Sequence, residues 1–225
     1  MNITLLELHA KDLQAQRSFY TDVLGLKADL SASTLDVQVG TTVLRFMQAP
    51  ANFNGAYHFA FNIPENQIRL AKEWVSARTE ILHDENKLDE FDFSNWNAHS
   101  FYFKDAAGNI LECIARHTLK NRSDGEFTAD QLLCVSEIGL PSENVIAFAE
   151  ELCSRLDVSV FRQEPEVSFT PVGDDNGLLI LPAKGRIWYP NTGVRAALLP
   201  IVVRGNTNGR EWEVRGVPYE IWLSG

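Results

Sequence analysis

Residues 100–116 read SFYFKDAAGNILECIAR: two strand-like runs joined by the tight turn KDAAGN. In the second run a carboxylate, Glu112, stands among Ile110, Leu111, Cys113 and Ile114. A carboxylate in a half-buried strand is costly unless a cation, a donor or solvent accompanies it. The residues that keep Glu112 company are therefore the first candidates for function.

Upstream, YHFAFNI (57–63) alternates as a strand, with His58, Ala60 and Asn62 on one face and Phe59, Phe61 and Ile63 on the other. Pro64 opens a helix whose apolar stripe is Ile68, Ala71 and Val75. After a polar, acidic stretch over 82–95, the 100–116 hairpin completes a βαβββ unit over 55–117. The same order occurs over 1–50. There ITLLELH alternates, Asp12 caps a helix carrying Ala15, Phe19 and Val23, Gly25 ends it, and TLDVQVG and TTVLRFM form paired strands at Gly40. A polar linker spans 118–131. A third start follows with the strand LLCVSEIGL, Ser142 as the cap of a helix bearing Val145, Phe148, Ala149, Leu152 and Leu156, and the strands VSVFRQ, FTPVGD and GLLILPA. Beyond Asn191 only AALLPIVVRG and REWEVRGVPYEIWL remain, so a fourth unit has no room for a helix. A repeat of about 55 residues organises the chain.

With Lys+Arg 20 against Asp+Glu 30 the net charge is −10, which argues against a nucleic-acid or anionic-membrane surface. No apolar run approaches the ~20 residues of a membrane span. The opening MNITLLELHA lacks the marks of a signal peptide. Cys113, Cys134 and Cys153 form no CxxC pair and read as reduced core thiols, the pattern of a cytoplasmic protein.

The repeat, with FYTDVLGL after the first strand and FYFKDAAGNILE closing the second unit, resembles the vicinal oxygen chelate superfamily. That group includes glyoxalase I, the extradiol dioxygenases and the fosfomycin- and bleomycin-resistance proteins. The resemblance implies an α+β fold of tandem βαβββ modules paired into a cup-shaped sheet, with a divalent metal on the cup floor chelating neighbouring substrate oxygens. It places an N-terminal domain over 1–117 (units 1–50 and 55–117) and an abbreviated C-terminal domain over 132–225.

Carried over residue by residue, the first-strand ligand position falls on Leu5, the second-unit position on His58, the last-strand carboxylate on Glu112, and a further carboxylate position on Arg45. Leucine binds no metal and a guanidinium repels one. Glu7 and His9 share a strand face with Leu5, about 6.5–7 Å per step, so Glu7 is a candidate replacement. The expected metal set is His58, Glu112 and Glu7, holding Mn, Fe, Ni, Zn or Mg, with Glu112 also the candidate catalytic base. Glu7, His9, Arg45, Asn62, Ser100, Tyr102 and Arg116 are the expected substrate contacts. Asn95, Trp96, Asn97 and His99 are placed at the rim. Glu137 and Glu220 fall on ligand positions of the C-terminal half, which reads as a structural or homodimer-forming partner.

Two functional classes follow. One is an enzyme of lyase, isomerase or transferase type acting on a small oxygenated molecule. The other is a metal-free protein that sequesters a small molecule, as bleomycin-resistance proteins do. A third reading gives the chain an assembly role only.

Overall fold

A computed structural model describes residues 1–223. The first unit comprises β1 (Asn2–Ala10), α1 (Leu13–Ser18) continued by a π-helical turn over Phe19–Val23, β2 (Lys27–Leu30), β3 (Thr34–Val39) and β4 (Thr42–Gln48). The second comprises β5 (His58–Ile63), α2 (Ile68–Ser76), β6 (Phe91–Phe93), β7 (Ala98–Lys104) and β8 (Ile110–Arg116). The third has β9 (Cys134–Gly139), α3 (Val145–Leu156), β10 (Phe169–Asp174) and β11 (Gly177–Pro182). The last has only β12 (Val202–Thr207), β13 (Arg210–Arg215) and β14 (Glu220–Leu223), without a helix. No described helix is long and apolar enough to cross a membrane.

The expected local signals act as their chemistry requires. Asp12 accepts from the Ala15 amide at 2.8 Å and caps its helix. In the third unit the cap is Asn144, which accepts from the Ala147 amide at 3.2 Å, and not the expected Ser142, whose hydroxyl reaches only the Asn144 amide. The strand expected over VSVFRQ (158–163) is reduced to a single bridge from Val160 to Val172. Gly40 adopts φ +51°, and a Cβ there would lie 1.8 Å from the Leu133 carbonyl oxygen, so a larger residue fits neither the dihedral nor the space.

The KDAAGN turn is a junction between units. Asp105 Oδ1 accepts from the Ala107 and Asn109 amides, and Oδ2 accepts from Gln16 Nε2 and Asn109 Nδ2 at 2.8 Å and from the Tyr20 hydroxyl at 3.1 Å. Asn109 Oδ1 in turn accepts from the Tyr57 amide at 2.9 Å. One buried carboxylate thus holds the second unit's hairpin against the first unit's helix.

The strands form two sheets of seven, in the orders β14-β13-β12-β1-β4-β3-β2 and β10-β11-β9-β5-β8-β7-β6. This corrects the expected pairing of the 1–50 and 55–117 units in one cup. Unit one shares its sheet with unit four, through antiparallel β1 and β12, and unit two shares its sheet with unit three, through antiparallel β5 and β9. The physical reason lies in the strand edges: every edge offers the same row of N–H and C=O groups, so local sequence does not say which edge meets which.

One face of each sheet joins a common core with the helices, including Leu6, Leu44 and Phe46 from the first sheet and Phe59, Phe61, Phe101 and Phe103 from the second. Burying each such side chain contributes roughly 1.5–3 kcal/mol. Cys113 lies in this core, while Cys134 and Cys153 are half-buried, and all three thiols are free.

The opposite faces differ. That of the first sheet is polar: Arg45 donates to both Asp36 oxygens at 2.6 Å, and Arg204 donates to Glu213 at 2.6 Å. That of the second sheet is roofed by a separate apolar cluster of Phe91, Tyr102, Ile110, Phe161, Leu178, Ile180, Trp188 and Ala196.

Candidate metal and substrate site

The second sheet's roofed face carries the candidate site. On β5 the alternation turns His58, Ala60 and Asn62 inward and commits Phe59, Phe61 and Ile63 to the core. β8 runs parallel to it, with Glu112 beside Ala60, while β9 places Glu137 on Ala60's other side. The methyl group of Ala60 leaves room between the two carboxylates, and His58 is the next inward residue along β5. One ligand atom from each of His58, Glu112 and Glu137 lies within 4.8 Å of the others, and all three residues are buried.

His58 Nδ1 lies 3.1 Å from the Ile110 carbonyl oxygen, which only an N–H can satisfy. That fixes the tautomer and leaves Nε2 as a bare acceptor, 3.5 Å from Glu112 Oε2. Two acceptors facing each other need a positive particle between them, either a proton or a metal ion. Burial lowers the His58 pKa to about 4, against the opposing pull of the Ile110 carbonyl. Burial raises Glu112 well above the usual carboxylate range, and the Glu137 charge adds to this. Burial also raises Glu137, which Arg116 opposes.

Since the unfolded ring titrates near 6.5 and the folded one near 4, the unfolded chain binds the extra proton in that window. Stability from His58 is therefore intact above about 6.5 and is lost as pH falls towards 4. Long-range nitrogen–proton NMR on chelator-treated protein should find His58 Nδ1 protonated and Nε2 bare at pH 6. A ring that titrates between pH 6 and 7 would contradict this burial argument.

Arg116 is fully buried behind the carboxylates. It donates from Nε to Asn62 Oδ1 at 3.2 Å and from a terminal nitrogen to Glu137 Oε1. Its other terminal nitrogen lies 3.9 Å from Asp175 Oδ1, and Asp175 Oδ2 accepts from Arg162 at 2.8 Å. Arg116 thereby holds one oxygen of Glu137 and steadies the strand end.

In front of the carboxylates lies a cavity of about 380 Å³. Its walls include Phe93 and Trp96 from the segment before β7, Tyr102 from β7, Phe169 from β10, and Trp188 and Tyr189 from the loop after β11. The Trp188 ring centroid lies 5.0 Å from that of His58. A Cβ on Gly139 would meet the Trp188 ring at 2.4 Å, so glycine at the end of β9 is what admits the indole.

The sequence-derived residues distribute unevenly over this architecture. His58, Asn62, Ser100, Tyr102, Glu112 and Arg116 share the inner face of the second sheet, but of these only His58, Tyr102 and Glu112 line the cavity. Asn62 and Arg116 are braces behind it, and the buried Ser100 hydroxyl has no hydrogen-bond partner. Glu7, His9 and Arg45 lie in the first sheet. Arg45 is paired with Asp36, and Glu7 is 3.9 Å from it. The third corner expected of Glu7 is filled by Glu137. Glu220 is exposed on the edge strand β14. Asn95 and Trp96 reach the cavity wall, whereas His99 hydrogen-bonds His117 at 2.9 Å.

In the sequence Glu137 falls on a ligand position of the C-terminal half; in the structure β9 carries it to the N-terminal half's His58 and Glu112. Trp188 and Tyr189 carry a visible signal in the sequence: with Ile187 they put three consecutive apolar side chains into the loop RIWYP (186–190).

A neutral imidazole with two carboxylates is a donor set suited to Mn, Fe, Ni, Zn or Mg, and the facing acceptors of His58 and Glu112 are satisfied by a cation. The residues present therefore fit a divalent ion.

No family model and no curated protein sequence matches the chain. Solved structures do. Glyoxalase I from Zea mays superposes with a TM-score of 0.56 at 12% identity, covering 99% of this chain and 92% of that one. A proposed dioxygenase from Bacillus subtilis subsp. subtilis str. 168 superposes with a TM-score of 0.62 at 18% identity, covering 92% and 71%. Lactoylglutathione lyase from Agrobacterium tumefaciens, at 24% identity, covers 52% of this chain and 96% of its own with a TM-score of 0.43. With two such matches along nearly the whole chain, and with βαβββ units closing into paired sheets, the protein has the vicinal oxygen chelate fold.

Proposed function

We propose that this protein transforms a small oxygenated molecule in the cup formed by units two and three, with a divalent metal held by His58, Glu112 and Glu137. The observation that carries the proposal is the convergence of one imidazole and two carboxylates within 4.8 Å at the back of an aromatic-walled cavity. When bound, the metal supplies Lewis-acid polarisation of substrate oxygens. The chain's own residues supply the rest. The Ile110 carbonyl holds His58 in the tautomer that presents Nε2, and Arg116 holds one oxygen of Glu137, leaving the other free. Trp188 and Tyr102 flank His58 and keep water from the floor, which strengthens every electrostatic interaction there. Asn95 and Gln163 bring amide groups to the cavity wall, where they can orient a polar substrate.

The test is metal content by mass spectrometry after growth with added Mn, Fe, Ni and Zn. We expect close to one ion per chain in the wild type and a loss of about tenfold or more in Glu112→Ala and Glu137→Ala. Glu7→Ala should retain the ion, since Glu7 lies in the other sheet. A wild type without metal would overturn the proposal.

A second reading has its own support. Arg116 already gives Glu137 a counter-charge, so the cup is not obliged to hold a cation there. On that reading the protein binds its small molecule without transforming it, and ligand binding would be indifferent to chelators.

A further inference from the structure

Among the cavity-lining residues, Arg186 is a cation without an acidic partner. Arg162, nearby in the third unit, is committed to Asp175, and Arg116 is committed to Glu137 behind the wall. The Arg186 side chain donates one hydrogen bond, to the Ser168 carbonyl oxygen at 3.2 Å, and no carboxylate among the described residues forms an ion pair with it. Its guanidinium lies over the Phe169 ring, 4.8 Å from the centroid, so its position is set by packing. Arg186 is an exposed residue on the cavity wall; partial burial of its guanidinium lowers its pKa, and Glu166 opposes this from beyond ion-pair reach.

The chain as a whole has excess acid, with net charge −10, so an unpaired arginine on a cavity wall is not a by-product of a basic surface. The walls between Arg186 and the carboxylates are flat and apolar: Phe93, Trp96, Phe169, Trp188 and Tyr189. Such walls accept a planar body, and an unpaired guanidinium accepts a planar carboxylate through two parallel N–H donors.

Resting on the assignment of this cup as the substrate site, we propose that Arg186 anchors the carboxylate of a small, flat, apolar acid whose other end reaches towards His58 and the paired glutamates. The arginine then sets specificity. The neutral analogue of such an acid leaves Arg186 desolvated and unpaired, a penalty that falls on binding.

Isothermal titration with 2-naphthoate and with its uncharged counterpart 2-naphthamide tests this, first on chelator-treated protein and then with Mn added. In the wild type the acid should bind at least about tenfold more tightly than the amide. Arg186→Gln should remove that preference while leaving the affinity for the amide and the metal content unchanged, and Arg186→Lys should restore part of it. Equal binding of acid and amide, no binding of either, or a preference that survives in Arg186→Gln would each overturn the proposal. The two readings fail separately. A preference that depends on Arg186 in a protein without metal leaves the anchor standing and removes the metal. A metal-loaded protein without the preference does the reverse.

Discussion

Replacing Arg116 with Met should destabilise the chelator-treated protein by about 3–5 kcal/mol, because it leaves the buried Glu137 carboxylate without its counter-charge. Glu137 is 2% exposed and Arg116 0%, so solvent cannot take over the guanidinium's role. In a chain of this size each kcal/mol moves the melting temperature by about 2–4 °C, so a drop near 10 °C is expected by calorimetry.

The pH dependence of this deficit has a defined sign. With Arg116 gone, the folded-state pKa of Glu137 lies even further above its unfolded value. The penalty is then absent below the unfolded value near 4.3, and it grows as pH rises towards the folded one. The variant should therefore lag the wild type more at pH 8 than at pH 5. The double variant Arg116→Met/Glu137→Leu should recover most of the loss, since no charge remains to be stranded. A single variant within 1 kcal/mol of wild type at pH 8 would mean that the pair contributes little.

The second large effect is expected at Asp105. Asp105→Ala removes the acceptor for two backbone amides, two amide side chains and one phenol, and should cost about 3–5 kcal/mol in urea denaturation. Because Gln16 and Tyr20 belong to the first unit and Asn109 to the second, the loss loosens the seam between them as well as the turn. Asp105→Asn keeps the shape but turns one oxygen into a donor facing other donors, so it should fall between Ala and wild type. Equal stability of all three would refute the junction role.

Much of this was legible residue by residue. Period-two alternation on 57–63 and 110–116 correctly turned His58 and Glu112 to one face, because a pleated strand leaves a side chain no other choice. Asp12 and Gly40 announced a cap and a turn for equally local reasons: a side-chain oxygen within reach of an amide, or a dihedral only glycine tolerates, whereas in the third unit the cap is Asn144, two residues after the expected Ser142. The truncated fourth unit was visible from length alone.

What alternation does not contain is the choice of neighbour across a strand edge. Glu7 and Glu137 each sit on a strand opening a unit and face inward with equal propriety. Which one joins His58 and Glu112 depends on β9, and not β1, pairing with β5, a choice settled by how whole units close over the shared core. The same closure brings Trp188 against a histidine more than 100 positions away and Tyr189 against Tyr102, and sets Arg186 on the cavity wall. By itself, then, the sequence determined the repeat, the strand faces and two of the three candidate ligands, because these rest on contacts between residues near in the chain. The third ligand, the aromatic roof and the unpaired arginine were decided by tertiary structure, because backbone edges are chemically alike and only global packing distinguishes them.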